Sequence, residues 1–570
     1  MLRALKASDG SQRWEAQLSA RLRASAITKD LVWVQESQIY SWGRQANLIA
    51  YSRSDGVERK RVTFADNSYG PAAWGNGHVV MSQGGSASDG EPYRLRAFGL
   101  APPAPVITTT MVPTGRVSSP YSATLEATGG AGALSWSVTS GSLPSGLSLS
   151  SAGVVSGTPN AAGSARVQVR VSDAKGRSRS RSLFVQVVGA GTNGWSGDGG
   201  NVARDGYNKA ETAIGRDNAA QLAYRWKTAT PVGTEQTMVA DHEPVIAGTR
   251  VFDVDKIGRL AAYDTTGTTA NRAPVWTLTA LDGAYYPDAP TESGGVLYLV
   301  DSARFVDAVR ASDGVRLWHV AGGPSQYLRA EIAVVGTKVL FLDSSYDLVA
   351  RNTSDGSAAW GGAAVPLDGN ELFGSVVIAS DGTRAFVVAN CEVKAVTVAT
   401  GAVAWTVPVK EGGTTNCGVG TNMTPIVADG AVFATTYDGS IAIEAATGVV
   451  RWRSGTSGGY GNGGGVVANG AWVLGNGGAG DPWLVALDIA TGATLWENRG
   501  ALAYARFAVA GDLVLAAGGS NVKGYDLLTG EELVDLGTPD PSGYTSGSVT
   551  IGAGRILVST REGIKAFGPP

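Results

Sequence analysis

The chain has 570 residues and a formal net charge of −3, and no run nears the roughly 18 apolar residues of a membrane helix. Nucleic acid, an anionic membrane surface and a transmembrane segment therefore drop out of the expected partners. Glycine supplies 79 residues and tryptophan 15, and long apolar helical periodicity is missing, so the expected fold class is all-β, built of short strands and tight turns.

At the N-terminus, ALKASDGSQRW from Ala4 to Trp14 aligns without a gap on AVRASDGVRLW from Ala308 to Trp318, and YRLRAFGLAPP at Tyr93 mirrors GIKAFGPP at Gly563. Residues 1–100 are therefore read as about two and a half blades, the C-terminal remnant of a first β-propeller. On that reading the chain is the remainder of a longer protein and its export signal is missing with the rest. The alternative is a short three-blade cap packed on the other domains. Residues 101–115, PAPVITTTMVPTG at their centre, are expected to be a Pro/Thr linker. Residues 106–189 alternate apolar and polar positions between Gly/Pro/Ser turns around Trp136, the pattern of an immunoglobulin-like β-sandwich.

From residue 195 to 570 a unit recurs: an apolar strand, a Thr-Gly or Asp-Gly turn, then a strand carrying Trp. Its examples include VDAVRASDG, VKAVTVATG, IAIEAATG and LVALDIATG, and the Trp residues are Trp276, Trp318, Trp360, Trp405, Trp452 and Trp496. Their spacing of roughly 42–47 residues matches a four-stranded propeller blade. The turn needs Gly at a left-handed position, and the Thr or Asp before it can bond back to the turn backbone. LAYRWKT around Trp226 looks like an outer strand without a blade, and GRILVSTREGIKAFG looks like a blade without an outer strand. Joining them predicts an eight-bladed β-propeller closed on itself, without an exposed sheet edge.

Candidate site residues fall in the connections between blades. Tyr285, Tyr286, Tyr327, Phe373, Tyr460, Tyr504 and Tyr544 form an expected aromatic ring on one face, with Arg329, Glu331, Glu371, Asn462 and Arg506 for polar contacts. The same aromatics could instead fill gaps between blades. Cys391 and Cys417 lie in connections that open on one face, and a disulfide is the natural pairing, with two separate buried thiols as the alternative. The Asp241-His242-Glu243 cluster precedes the first inner strand; adjacent residues on a strand point in alternating directions, so it reads as a solvated loop beside the channel.

LPSGLSLSSAGVVSGTPNAAG closely resembles the He_PIG, cadherin-like immunoglobulin domains of bacterial surface proteins. That resemblance implies an extracellular spacer or adhesion module; since some members bind calcium, Asp173 is a candidate ligand, but the preferred reading of it is a solvated turn carboxylate. GWSGDGGNVARDGYN and the A-x-D-x-x-T-G-x-x-x-W repeat, clearest in ALDIATGATLW, resemble the PQQ-binding-like or quinoprotein alcohol dehydrogenase-like propellers. The resemblance implies the fold; the same repeat also builds non-catalytic propellers. Dehydrogenases of that superfamily hold PQQ with a vicinal Cys-Cys ring, a stacking Trp and a calcium ion. This sequence has no Cys-Cys pair, no C-x-x-C-H for haem and 3 His in all.

These features together imply a non-enzymatic, modular bacterial cell-surface, secreted or periplasmic protein, with the propeller binding a protein or glycan partner on its loop face. No catalytic or metal residues are assigned. A PQQ- and calcium-dependent oxidoreductase and a carbohydrate-active propeller are the rival readings.

Overall fold

The computed structural model describes residues 2–5, 12–17, 21–27, 31–40, 43–64, 73–75, 78–83, 94–99, 103–189, 194–197, 199–228, 243–255, 258–266, 270–323, 332–367, 377–389, 392–409, 424–436, 439–455, 465–476, 483–502, 506–518, 521–537, 545–560 and 562–570. The chain divides into two compact units, one of residues 1–105 with 129–133 and 173–177, the other of 106–128, 134–172 and 178–570.

The first unit contains a two-stranded, a four-stranded and a three-stranded antiparallel sheet, spanning Leu2–Ala16, Arg21–Phe64 and Ala73–Gly99. Val32, Val34, Ile49 and Tyr51 form its small described core. In the first hairpin Ala4 sits opposite Trp14.

In the second unit, the sandwich pairs a sheet of Gly115–Arg116, Ser178–Val188, Gly163–Ser172 and Ser135–Ser140 with one of Tyr121–Thr124, Val154–Gly157 and Leu147–Leu149. Alternation along the strands points Val167, Val169, Val171, Leu183 and Val185 inward around Trp136. Ile107 and Val112 belong to the same core.

The remainder of this unit is a β-propeller. Among the described residues, eight sheets follow one another, with short inner strands at Val245–Ala247, Thr291–Ser293, Ala333–Val335, Ile378–Ser380, Ile426–Ala428, Val466–Ala468, Arg506–Ala510 and Thr545–Gly552. The last sheet draws on both ends of the segment. Ala223–Thr228 pairs antiparallel with Gly563–Gly568, and Trp226 lies opposite Ala566.

The repeat spacing has a direct mechanical meaning. A ten-residue offset from Ala to Trp places them opposite each other across a bulged hairpin in Ala308 and Trp318, Ala395 and Trp405, Ala442 and Trp452, and Ala486 and Trp496, while Ala262 meets Trp276 through a longer connection without a bulge. The small residue leaves room for the indole on the shared face. Where Val534 replaces Trp, Gly524 replaces Ala, and a methyl added there would come within 2.7 Å of Val534.

Each indole then reaches the next blade. The ring nitrogens of Trp276, Trp318, Trp360, Trp405, Trp452 and Trp496 donate to the carbonyls of Ala311, Thr353, Val398, Ala445, Ile489 and Leu527, at 2.8–3.2 Å. All six acceptors begin the following blade's Thr-Gly or Asp-Gly turn. The turn glycine needs both its left-handed backbone and its missing side chain, because Gly492 has φ +70° and an added Cβ would lie 2.6 Å from the Trp452 ring. Gly492→Val is expected to destabilise the propeller by about 3 kcal/mol, from backbone strain plus displaced indole. Calorimetry checks it; a loss under about 0.5 kcal/mol, the size of an ordinary surface substitution, contradicts the coupling.

One blade departs from the pattern. Trp360 occupies a 3₁₀ turn, Trp360–Gly362, with φ +56°, in place of the expected outer strand, and the described sheet there has three strands. Gly361 and Gly362 follow the Trp where the other blades continue with strand-forming residues.

Candidate functional site

The segment Gly194–Glu211, which holds GWSGDGGNVARDGYN, is a belt inside the ring of inner strands. Trp195 exchanges two backbone hydrogen bonds of 2.8 Å with Ile246 of the first sheet. The belt carbonyls of Ser196, Val202, Ala203, Asp205 and Gly206 then accept in turn from the amides of Glu292, Ser380, Val427, Val467 and Val509, at 2.7–2.8 Å. Asn208 completes the circuit, its amide donating to Val509 O and its side-chain Nδ2 to Ile551 O at 2.8 Å. Seven of the eight described sheets are thus tied to one strip of chain.

Residue types explain its shape. Left-handed backbone at Gly199, Gly200, Arg204 and Gly206 lets the chain curl within the ring. Asn201 Oδ1 accepts from Ala203 N, and Asp205 Oδ1 accepts from Tyr207 N, the local turns that Asn and Asp favour. Glu211 receives the amides of Ala213 and Gly554.

Glu243, the described member of the Asp241-His242-Glu243 cluster, is buried and not solvated. Its Oε2 accepts from the Trp195 indole at 2.8 Å and from Gly199 N at 2.9 Å, and Arg506 approaches its Oε1 to 3.8 Å. Asp241 and His242 lie outside the described residues. Arg506, expected to offer a polar contact to a ligand, faces this carboxylate. Of the aromatic candidates, Tyr285 is 52% exposed, but Tyr286 is buried, with its hydroxyl donating to Asp307 Oδ2 at 2.8 Å. Tyr286 therefore joins a polar network in the protein interior and not a ligand platform. Tyr327, Phe373, Tyr460, Tyr504, Tyr544, Arg329, Glu331, Glu371, Asn462, Cys391 and Cys417 lie outside the described residues.

Asp173 is likewise engaged within the protein. Its two oxygens accept from the amides of Ala131, Lys175 and Arg177 and from the Arg177 guanidinium, at 2.7–3.0 Å. That many donors compete directly with a calcium ion, and Asp173 is buried, which corrects the expectation of a solvated turn carboxylate. Burial acts to raise this carboxyl, yet the Ala131 amide and Arg177 outweigh it and hold it down at about 2. A depressed value means stability that is present above the unfolded value near about 3.9 and is lost as pH falls through about 2. Asp173→Asn is therefore expected to flatten the loss of stability between those two values, checked by urea midpoints of wild type and variant across that window.

The sandwich docks on the turns that end the inner strands of the sixth and seventh sheets. Thr114 donates its amide and hydroxyl to the Asp512 carboxylate at 2.8 and 2.6 Å. Asn469 donates its amide to Gln186 Oε1 and its Nδ2 to Val112 O. Arg166 pairs with Asp488 at 3.0 Å, and Phe184 covers Gly470, where a Cβ would lie 2.5 Å from the ring. Two cavities border the belt. One of about 310 Å³ includes Asn201, Arg204, Thr291 and Ile378, and one of about 760 Å³ lies against the docked sandwich. Lining groups such as Arg204, which donates to Ile378 O, and Gln186 are engaged within the protein.

Among the described residues, the only three His, Cys, Asp or Glu side chains that converge closely enough for a metal are Asp301, just after the second strand of the second sheet, and Asp307 and His319 on its third and fourth strands. At the channel, Glu243 and Trp195 are bonded to each other.

The family model of the outer membrane protein assembly factor BamB matches residues 166–392 and 389–567, more than half of the chain. The chain belongs to this family of PQQ-like propellers. The He_PIG Ig domain model matches residues 104–188. Among solved structures, BamB from Moraxella catarrhalis is similar to this BamB-family chain at 18% identity and a TM-score of 0.46, covering 59% of this chain and 99% of that one. The quinohemoprotein alcohol dehydrogenase from Comamonas testosteroni gives 12% identity and 0.49, covering 66% and 80%. A europium-containing methanol dehydrogenase gives 13% and 0.48, covering 64% and 89%. No curated protein matches the chain.

Proposed function

We propose that this BamB-family chain is a non-enzymatic binding scaffold of the bacterial cell surface, periplasm or secreted fraction, in which an eight-bladed propeller of residues 195–570 receives a protein or glycan partner on its loop face. The observation that carries the reading is the occupancy of the opposite end: the belt fills the ring of inner strands and the sandwich is bonded to the turns at Asn469 and Asp512. A partner is thereby directed to the face that bears the exposed Tyr285. Residues 1–100 would be part of a further propeller, and 106–189 a fixed spacer. A Cys391–Cys417 disulfide would suit an oxidising compartment.

The test has two arms. Retention on immobilised glycans and envelope proteins is measured for wild type, for Tyr285→Ser, and for Lys175→Ser as an exposed control in the other compact unit. Thermal melts are run with PQQ plus calcium. Binding weakened by Tyr285→Ser and unaffected by the control supports the scaffold. A saturable rise in midpoint that needs both PQQ and calcium, with no glycan or protein retained, replaces it with the oxidoreductase reading. Cleavage of a retained glycan establishes the carbohydrate-active alternative.

A further inference from the structure

On the second sheet, Asp307 of strand Phe305–Arg310 stands opposite His319 of strand Arg316–Ala321, and His319 Nδ1 lies 2.8 Å from Asp307 Oδ1. Asp301 directly follows the preceding strand, Val296–Val300, at the adjacent turn. Its Oδ1 accepts from the amides of Ala303 and Phe305, which fixes the carboxylate, but its Oδ2 is buried without a hydrogen-bond partner. Asp301 is 2% and Asp307 0% exposed, and one ligating atom from each carboxylate and from His319 all lie within 4.8 Å of one another.

A buried carboxylate oxygen with no donor is costly, and a second carboxylate beside it adds repulsion. Arg316 supplies one positive charge. Its Nε comes within 2.8 Å of Asp307 Oδ1 but without hydrogen-bond alignment, and its Nη2 donates to the Tyr286 hydroxyl and Thr279 O. Arg316 is turned to Asp307, and the orphan oxygen lies on the Asp301 side of the cluster. Tyr286 donates to Asp307 Oδ2, and Phe305 stacks on the His319 ring at 4.2 Å, so both groups are held in orientation by neighbours, as ligands of a metal commonly are.

We propose that Asp301, Asp307 and His319 bind a divalent first-row cation of the zinc class. One imidazole and two carboxylates suit such an ion. A tetrahedral ion with bonds of roughly 2.0–2.2 Å would draw the three atoms in to about 3.3–3.6 Å apart, with water in the fourth position. The ion gives Asp301 Oδ2 the partner it lacks and pins three strands of the second sheet together at their loop end. It is separate from the channel and does not depend on the partner-binding reading.

The experiment is zinc titration of the full chain after chelator treatment, followed by calorimetry and by thermal melt, on wild type, Asp301→Asn and His319→Gln. Asn keeps the oxygen that receives Ala303 and Phe305, so the zinc-free melts of the variants show whether the fold is intact. The expected result is saturable uptake by wild type, weakened at least about ten-fold in each variant, with zinc raising the midpoint of wild type alone. No saturable uptake up to about 1 mM zinc overturns the proposal. Equal uptake by all three chains also overturns it, because the ion then sits elsewhere.

Discussion

Removing Ala223–Thr228 from the full chain is expected to abolish the cooperative melt of the propeller and to cause aggregation. Among the described residues, this strand is the only partner of the outer edge of Gly563–Gly568, to which it is joined at Ala223–Gly568, Tyr224–Phe567, Trp226–Ala566 and Lys227–Lys565. Its loss exposes a strand edge that can pair with other chains. It also removes Trp226, 2% exposed within a large apolar cluster, and the Thr228 hydroxyl that receives Ile564 N at 3.0 Å. The milder Trp226→Ala keeps the strand and is expected to cost about 4 kcal/mol, since the indole is fully enclosed and the cavity cannot collapse around an Ala–Ala pair. Scattering and calorimetry check both variants. A deletion variant that stays monomeric and melts cooperatively at the wild-type midpoint shows that the ring does not depend on this closure.

The second large effect is expected in the belt. Gly206 has φ +66°, and an added Cβ would lie 2.3 Å from Val466 Cγ1, so Gly206→Val sets backbone strain against a buried strand that has no room to move. The expected cost is about 3–5 kcal/mol. Because the belt links successive inner strands, the damage should spread. Hydrogen exchange is expected to quicken together at Val427, Val467 and Val509, whose amides donate to Ala203, Asp205 and Gly206. Asn208→Ala removes the bond to Ile551 O and should extend the effect to the eighth sheet, at about 2 kcal/mol. Exchange that quickens only at Val466 and Val467 would mean that the belt is a passive filler and couples nothing.

Much of this architecture was legible because it depends on contacts close in sequence. The Ala-to-Trp spacing of ALDIATGATLW encodes a hairpin, and the hairpin sets Ala486 opposite Trp496 with no information from elsewhere in the chain. The two incomplete units at the ends of the propeller segment were complementary in strand count, so the pairing of Trp226 with Ala566 could be inferred. Trp360 misled because the repeat was read through its Trp while Gly361 and Gly362, unfavourable in a strand, carried the contrary signal.

The site was less legible. The belt has neither helical nor strand periodicity, since each of its residues answers to a different blade. Its only signals were the clustered Gly, Asn and Asp residues and a long stretch without strands ahead of the first blade. Tyr285 and Tyr286 are adjacent and chemically alike, yet one is exposed and the other bonded to Asp307, a residue of the next sheet.

By itself, the sequence determined the all-β class, the propeller repeat, the sandwich and the identity of the closing strand, because periodicity and turn chemistry act over about ten residues. Only the tertiary structure decided what lies inside the ring, where the sandwich is anchored and which carboxylates meet. Thr114 and Asp512, Trp195 and Glu243, and Asp301 and His319 are brought together by the curvature of the whole array, and their burial, not their spacing, sets what each can do.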